Sequence, residues 1–141
     1  DLGGFFFTEN LSKEMDLSFE DAEKLLQGTP SGQYNADQFN DILERNIGDL
    51  LAEVDKTLSF YTAENKREKR IDFILLSGGL AGLKRMNGAF ERAFQTPTRL
   101  LDPFRHIHYN ETRLNPAYYQ KLPLVFAVAT GLATRTMDQK K

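Results

Sequence analysis

At 141 residues, 40% of them hydrophobic, the chain has the length of one domain, or of part of one, and enough apolar side chain for a core. A formal net charge of −2, with no stretch forming a dominant basic face, argues against a nucleic-acid-binding protein. The lack of cysteine excludes disulfides and thiolate metal sites, and it fits a reducing compartment.

The chain begins at Asp1-Leu2-Gly3-Gly4 without an initiator Met, which reads as a piece cut from a longer protein. Gly3 and Gly4 precede the aromatic run Phe5-Phe6-Phe7. Thr8 is the expected N-cap of a helix through about Met15, with Leu11 and Met15 inward. Ser18 starts a second helix, SFEDAEKLLQG. Its acidic Glu20, Asp21 and Glu23 complement the positive end of the dipole, and Gly28 suits the C′ position. The stretch Thr29–Tyr34 is turn chemistry.

From about Asn35 to Asn65 the residues Phe39, Ile42, Leu43, Ile47, Leu50, Leu51, Val54, Leu58 and Tyr61 step by three and four, one apolar stripe of a long helix. Unbroken, it would reach ~45 Å; Gly48 is the expected place for a kink or break. The charge run Glu64–Arg70 reads as a solvated helix end.

The stretch Ile71–Phe94, IDFILLSGGLAGLKRMNGAFERAF, organises the rest. Ile71, Phe73, Ile74, Leu75 and Leu76 have the length and composition of a buried strand. Ser77-Gly78-Gly79 breaks the run, and a helical pattern follows with Leu83, Met86, Phe90 and Phe94 on one face. Strand, glycine turn and helix is an arrangement in which N–H groups at a helix start can face an anion or nucleotide; it is also an ordinary α/β connection. Thr96–Leu101 reads as a short edge strand, and Asp102-Pro103-Phe104 as a turn into an irregular stretch. His106 and His108 lie two apart, but no third ligand is suggested nearby, so they read as polar histidines rather than a metal site.

Leu122–Ala133 is too short to span a bilayer, which takes ~20 residues; PLVFAVATGLATR, Pro123–Arg135, is apolar nearly all round and reads as a buried helix with a loose tail. Only two strands are legible, too few for an independent sheet. The reading is an α/β chain, helix-rich, with a small incomplete sheet. Its carboxylates lie on solvated helix faces, its aromatics follow packing patterns, and no nucleophile motif accompanies the histidines.

Four motifs in consistent order carry a resemblance: LGGFFFTENLSKEMDLSFEDAEKL, AEVDKTLSFY, LSGGLAGLKRMNGAFERAF followed by TPTRLLDPFRHI, and LPLVFAVATGLATR. Together they resemble the type IV pilus assembly protein PilM family, within the actin-like ATPases that include the division protein FtsA and the heat-shock chaperone ATPases. The resemblance implies the C-terminal portion of an actin-like (ribonuclease H-like) ATPase fold. Residues 1–141 would be a single fragment of its second lobe: 1–28 the helical start, 29–70 an excursion and long helix, 71–135 the strand–Gly-Gly–helix unit, short strand and final helix.

By position, Gly78, Gly79 and Leu80 would form the adenosine-side loop, Gly3 and Gly4 would lie near ribose and phosphates, and Glu53 and Lys56 would approach the adenine or ribose. Both residues of that last pair lie off the apolar stripe; a surface i,i+3 ion pair is the alternative reading. The family's phosphate loops and catalytic acid would precede Asp1, so the resemblance implies ATP or ADP with Mg2+ in the intact protein, no catalytic residue and no metal ligand in this chain, and no ATPase activity of its own. It further implies a cytoplasmic scaffold, peripheral at the bacterial inner membrane, that meets a PilN-like platform protein through the other lobe. Unpaired sheet edges would favour self-association. The alternative is a related FtsA-like division protein or a GspL-like protein of type II secretion.

Overall fold

The computed structural model of the chain describes residues 2–64, 71–107 and 122–138, which fall into two compact units, Asp1–Ile71 and Asp72–Lys141. The first unit is built of three helices, α1 (Gly4–Glu14), α2 (Phe19–Leu26) and α3 (Ala36–Glu64). Leu11 of α1, Ala22 of α2 and Ile42 of α3 form its buried centre, with Met15, Leu17, Leu26 and Phe39 packed around them. The three helices thus each contribute one side of the stripe that their sequence periodicity defines.

The helix ends are closed as the chain's polar residues allow. Ser18 caps α2: its hydroxyl accepts the Asp21 N–H at 3.1 Å and donates to the Asp21 carboxylate at 2.7 Å. At the other end Gly28, at φ +78°, makes the left-handed turn, and the N–H groups of Gly28 and Thr29 reach back to Leu25 and Lys24 at 3.0 and 2.8 Å. Helix α1 ends in the same way without a glycine. Asp16 takes φ +52°, and the Leu17 N–H bonds the Ser12 carbonyl at 3.0 Å.

Two expectations for this unit need correction. Thr8 is not an N-cap. Helix α1 starts at Gly4 and includes the aromatic run, because Phe7 is fully buried and carries the turn before Thr8 into the packed face. Thr8 is itself buried, and its hydroxyl donates to the Gly4 carbonyl at 3.0 Å. Nor does Gly48 break α3, which runs through it for 29 residues, about 43 Å at 1.5 Å per residue. Asn35 starts that helix, its side-chain oxygen accepting the N–H groups of Asp37 and Gln38.

Helices α1 and α3 run antiparallel. The Gln38 amide donates to the Glu14 carbonyl at 2.7 Å, Arg45 pairs with the Glu14 carboxylate, and Asn46 meets Asn10. Rising numbers on one helix therefore meet falling numbers on the other. The charge run at 65–70 lies outside the described residues.

The second unit is a βαβ arrangement followed by two helices. Strands β1 (Ile74–Leu76) and β2 (Thr98–Leu100) are parallel, in the register Ile74↔Thr98, Leu75↔Arg99 and Leu76↔Leu100. Between them come a 3-10 turn at Gly79–Gly82 and helix α4 (Met86–Phe94), which buries Met86, Ala89 and Phe90 and packs on β2. The expected helix directly after the glycines is therefore this 3-10 turn, and the α-helix begins four residues past it. Glu91 of α4 accepts the Thr98 N–H at 3.1 Å, fastening helix to strand. The Asp102 carboxylate accepts the Phe104 N–H at 2.9 Å, so Asp102-Pro103-Phe104 is the turn its residues predict. His106 is exposed in that turn, and His108 lies outside the described residues.

The apolar run 71–76 is half-exposed rather than buried: Phe73 and Leu75 face outward, because β1 has one partner strand and one covered face among the described residues. The final apolar segment departs further from expectation. It forms α5 (Leu122–Val125) and α6 (Ala127–Asp138), separated at Phe126, and Val128 and Leu132 are 75% and 61% exposed. Val125, Val128 and Leu132 stand in an outward row at helical spacing. Apolar composition states what a helix can bury; among the described residues α6 packs chiefly on α5. No helix among the described residues is long and apolar enough to cross a membrane.

Truncating Ile42, at the three-helix centre, to alanine is expected to cost about 2–5 kcal/mol by urea unfolding. Leu132→Ala, on the open face of α6, should stay within about 0.5 kcal/mol in the same experiment. The Ser18 hydroxyl, first, and Ser31 hold the Asp21 carboxyl below its ordinary 3.8. Because the folded value is depressed, the stabilisation is present above the unfolded value and is lost as pH falls through the folded one. Unfolding midpoints compared at about pH 6 and about pH 2.5 should therefore converge between wild type and Asp21→Asn at the acid end and separate at the neutral end.

Candidate functional site

The feature of the second unit with the geometry of a binding loop is the bend Gly78-Gly79-Leu80. Gly78 sits at φ +93°, a conformation that side-chain-bearing residues rarely adopt. Its N–H donates to the Leu124 carbonyl of α5 at 2.6 Å, and its carbonyl accepts the Ala81 N–H at 3.1 Å. Helix α5 closes on the far side of the same turn, where a Cβ on Gly82 would lie 3.3 Å from Leu124 Cδ1. Around Gly78 and Gly79 the opposite holds, for a Cβ on either would meet nothing within 4 Å. The bend is thus held from one side and open on the other, so backbone is presented where a flat ring or a sugar could approach closely. The anchoring Leu124 carries no signal in sequence, because its contribution is a backbone carbonyl.

In the first unit, Gly3 is the N-cap of α1 in extended conformation, without a side-chain cap, and both Gly3 and Gly4 are exposed with open space at the Cβ position. The first N–H groups of a helix have no intrahelical acceptor and carry the positive end of the dipole, so this end suits an anion. Glu53 and Lys56 form an i,i+3 ion pair at 3.2 Å on the outer face of α3, with side chains 59% and 75% exposed. They face solvent and are engaged with each other, and the pair itself contributes little. The antiparallel seam brings these two groups to the same end. The Gly3–Gly4 end of α1 lies beyond Asn10, and Glu53 and Lys56 lie beyond Asn46, on the same side of the Asn10–Asn46 contact.

Each unit can be tested by itself for its fit to a nucleotide. In the second, the bend at 78–80 offers backbone without obstruction; in the first, Lys56 and the α1 start offer positive charge. Among the described residues no group of three His, Asp or Glu side chains is arranged to hold a metal ion.

A solved structure, described as a PilM-PilN type IV pilus biogenesis complex, shares this fold, with a TM-score of 0.78 at 21% identity over 95% of the chain. The chain spans 37% of the length of that structure's matching chain. The family model for type IV pilus assembly protein PilM matches residues 1–137. The chain belongs to the type IV pilus assembly protein PilM family.

Proposed function

We propose that this chain is the nucleotide-facing part of an actin-like ATP-binding scaffold in the platform that assembles type IV pili. The observation that carries the reading is the Gly78 bend, fixed by Leu124 and left open where a ligand's base would lie. In the second unit Gly78, Gly79 and Leu80 offer open backbone to the adenosine side of the nucleotide. The first unit, taken by itself, offers an anion the open start of α1 at Gly3 and Gly4, and Glu53 and Lys56 as exposed polar groups. The family match supports the pilus branch over the division and secretion relatives. The matched structure, a complex of PilM with PilN, supports a PilN-like partner. The proposal has that partner met through a part of the protein outside these residues, at the cytoplasmic side of the inner membrane.

A nucleotide with Mg2+ would supply the phosphate charge that such a scaffold can sense. The chain's own groups position it and do not cut it. Phosphoryl transfer needs phosphates, metal and an oriented water held together, and these residues offer backbone N–H groups, one lysine and the Glu53 carboxylate already paired with it. The chain therefore binds without turnover.

Titration of the 141-residue chain with a fluorescent ADP analogue tests this directly. Gly78→Ala, whose backbone strain should lower stability by about 1 kcal/mol, is expected to weaken binding about tenfold or more while far-UV circular dichroism stays folded. Unchanged affinity would remove the bend from the site. Phosphate release from Mg-ATP should equal the buffer blank, and steady turnover by the isolated chain would overturn the non-catalytic assignment.

A further inference from the structure

Between α1 and α3 lies a polar contact that an apolar seam does not need. Asn10 Nδ2 donates to Asn46 Oδ1 at 2.8 Å, and Asn46 is 3% exposed. The second polar atom of that side chain, Nδ2, has no hydrogen-bond partner among the described residues. Leucine at this position would bury as well and leave no donor unpaired, so the amide lowers stability relative to an apolar side chain. What it provides is direction. Apolar ridges pack acceptably in more than one register, whereas a short buried amide meets its partner in one.

We infer that Asn10 and Asn46 are positioning residues that fix the register of α1 on α3. Asn10 lies six residues after Gly4, about 9 Å along its helix; Asn46 lies seven residues before Glu53, about 10.5 Å along the opposite one. In an antiparallel pair these lengths bring the Gly3–Gly4 end level with Glu53 and Lys56. A slip of one turn, about 5.4 Å, would set Asn10 against Ile42 or Leu50 and carry the glycines past that level. The other polar contacts across the seam enforce this less. Gln38 and Arg45, which meet Glu14, are long and exposed and can follow such a slip. The consequence for a ligand rests on the nucleotide reading above; the register itself does not.

The chain has no cysteine, so spin labels can be placed at Lys13→Cys and Asp55→Cys, both exposed and outside the proposed binding groups. Pulsed electron–electron double resonance on the labelled full chain should give one narrow distance. Asn46→Leu is expected to keep the helical signal and the unfolding temperature, or raise the latter, while the distance broadens or gains a second population displaced by about 5 Å. A single unshifted distance in Asn46→Leu would overturn the inference. If that variant does not fold, Asn10→Leu, at the half-buried partner, decides by the same criterion. Fluorescent ADP titrated into the same variants separates the two ideas. A displaced distance with unchanged affinity leaves the register role standing and counts against the nucleotide assignment, and an unshifted distance removes the register role whatever the affinity.

Discussion

The Gly78 bend of the second unit is tied to the last helices by one backbone hydrogen bond, from the Gly78 N–H to the Leu124 carbonyl. It joins segments 46 residues apart in the chain and couples two otherwise local events. On one side, a positive-φ glycine lets β1 turn sharply into the 3-10 segment. On the other, a carbonyl in the last turn of α5 gains an acceptor role outside the helix, which ends one residue later at Val125. The bend is therefore supported by tertiary structure as well as by its own Ala81–Gly78 hydrogen bond, an arrangement that lowers the cost of ordering the loop for a ligand.

The first unit is arranged differently. Its three helices share an apolar centre of side chains whose shape tolerates small shifts, and its directional contacts are few and mostly exposed. Burial supplies the free energy of association and a single polar pair supplies the alignment. That division of labour leaves the open start of α1 and the outer face of α3 unburdened by structural duty, which is what groups offered to a ligand require.

Local chemistry was legible in the sequence wherever the deciding contacts were local. Ser18, Gly28 and the Asp102-Pro103-Phe104 turn each act on residues a few positions away, and each stands where the pattern puts it. The stripe of α3 is buried at Ile42, Leu43 and Ile47 but exposed at Tyr61, because its partners lie on other helices and cover its first half. Thr8 departs from its capping pattern because the burial of Phe7, a tertiary fact, overrides a good capping residue. The run 71–76 and the segment 122–135 are more exposed than their composition suggests, because composition reports a capacity for burial and is silent on whether a neighbour is beside it. At the candidate site the glycines were visible as glycines. Leu124 was not, since a carbonyl belongs to every residue, and Asn46 was hidden in a stripe whose apolar members drew attention away from it.

The outward row of Val125, Val128 and Leu132 has a practical corollary for handling the isolated chain. With a formal charge of −2 there is little electrostatic repulsion between molecules, so exposed apolar side chains, this strip among them, govern their mutual attraction, which should strengthen as sulfate or phosphate is added. Colloidal behaviour and conformational stability then answer to different residues. Polar replacements along the strip would raise the concentration at which the protein precipitates and leave its melting temperature where it was.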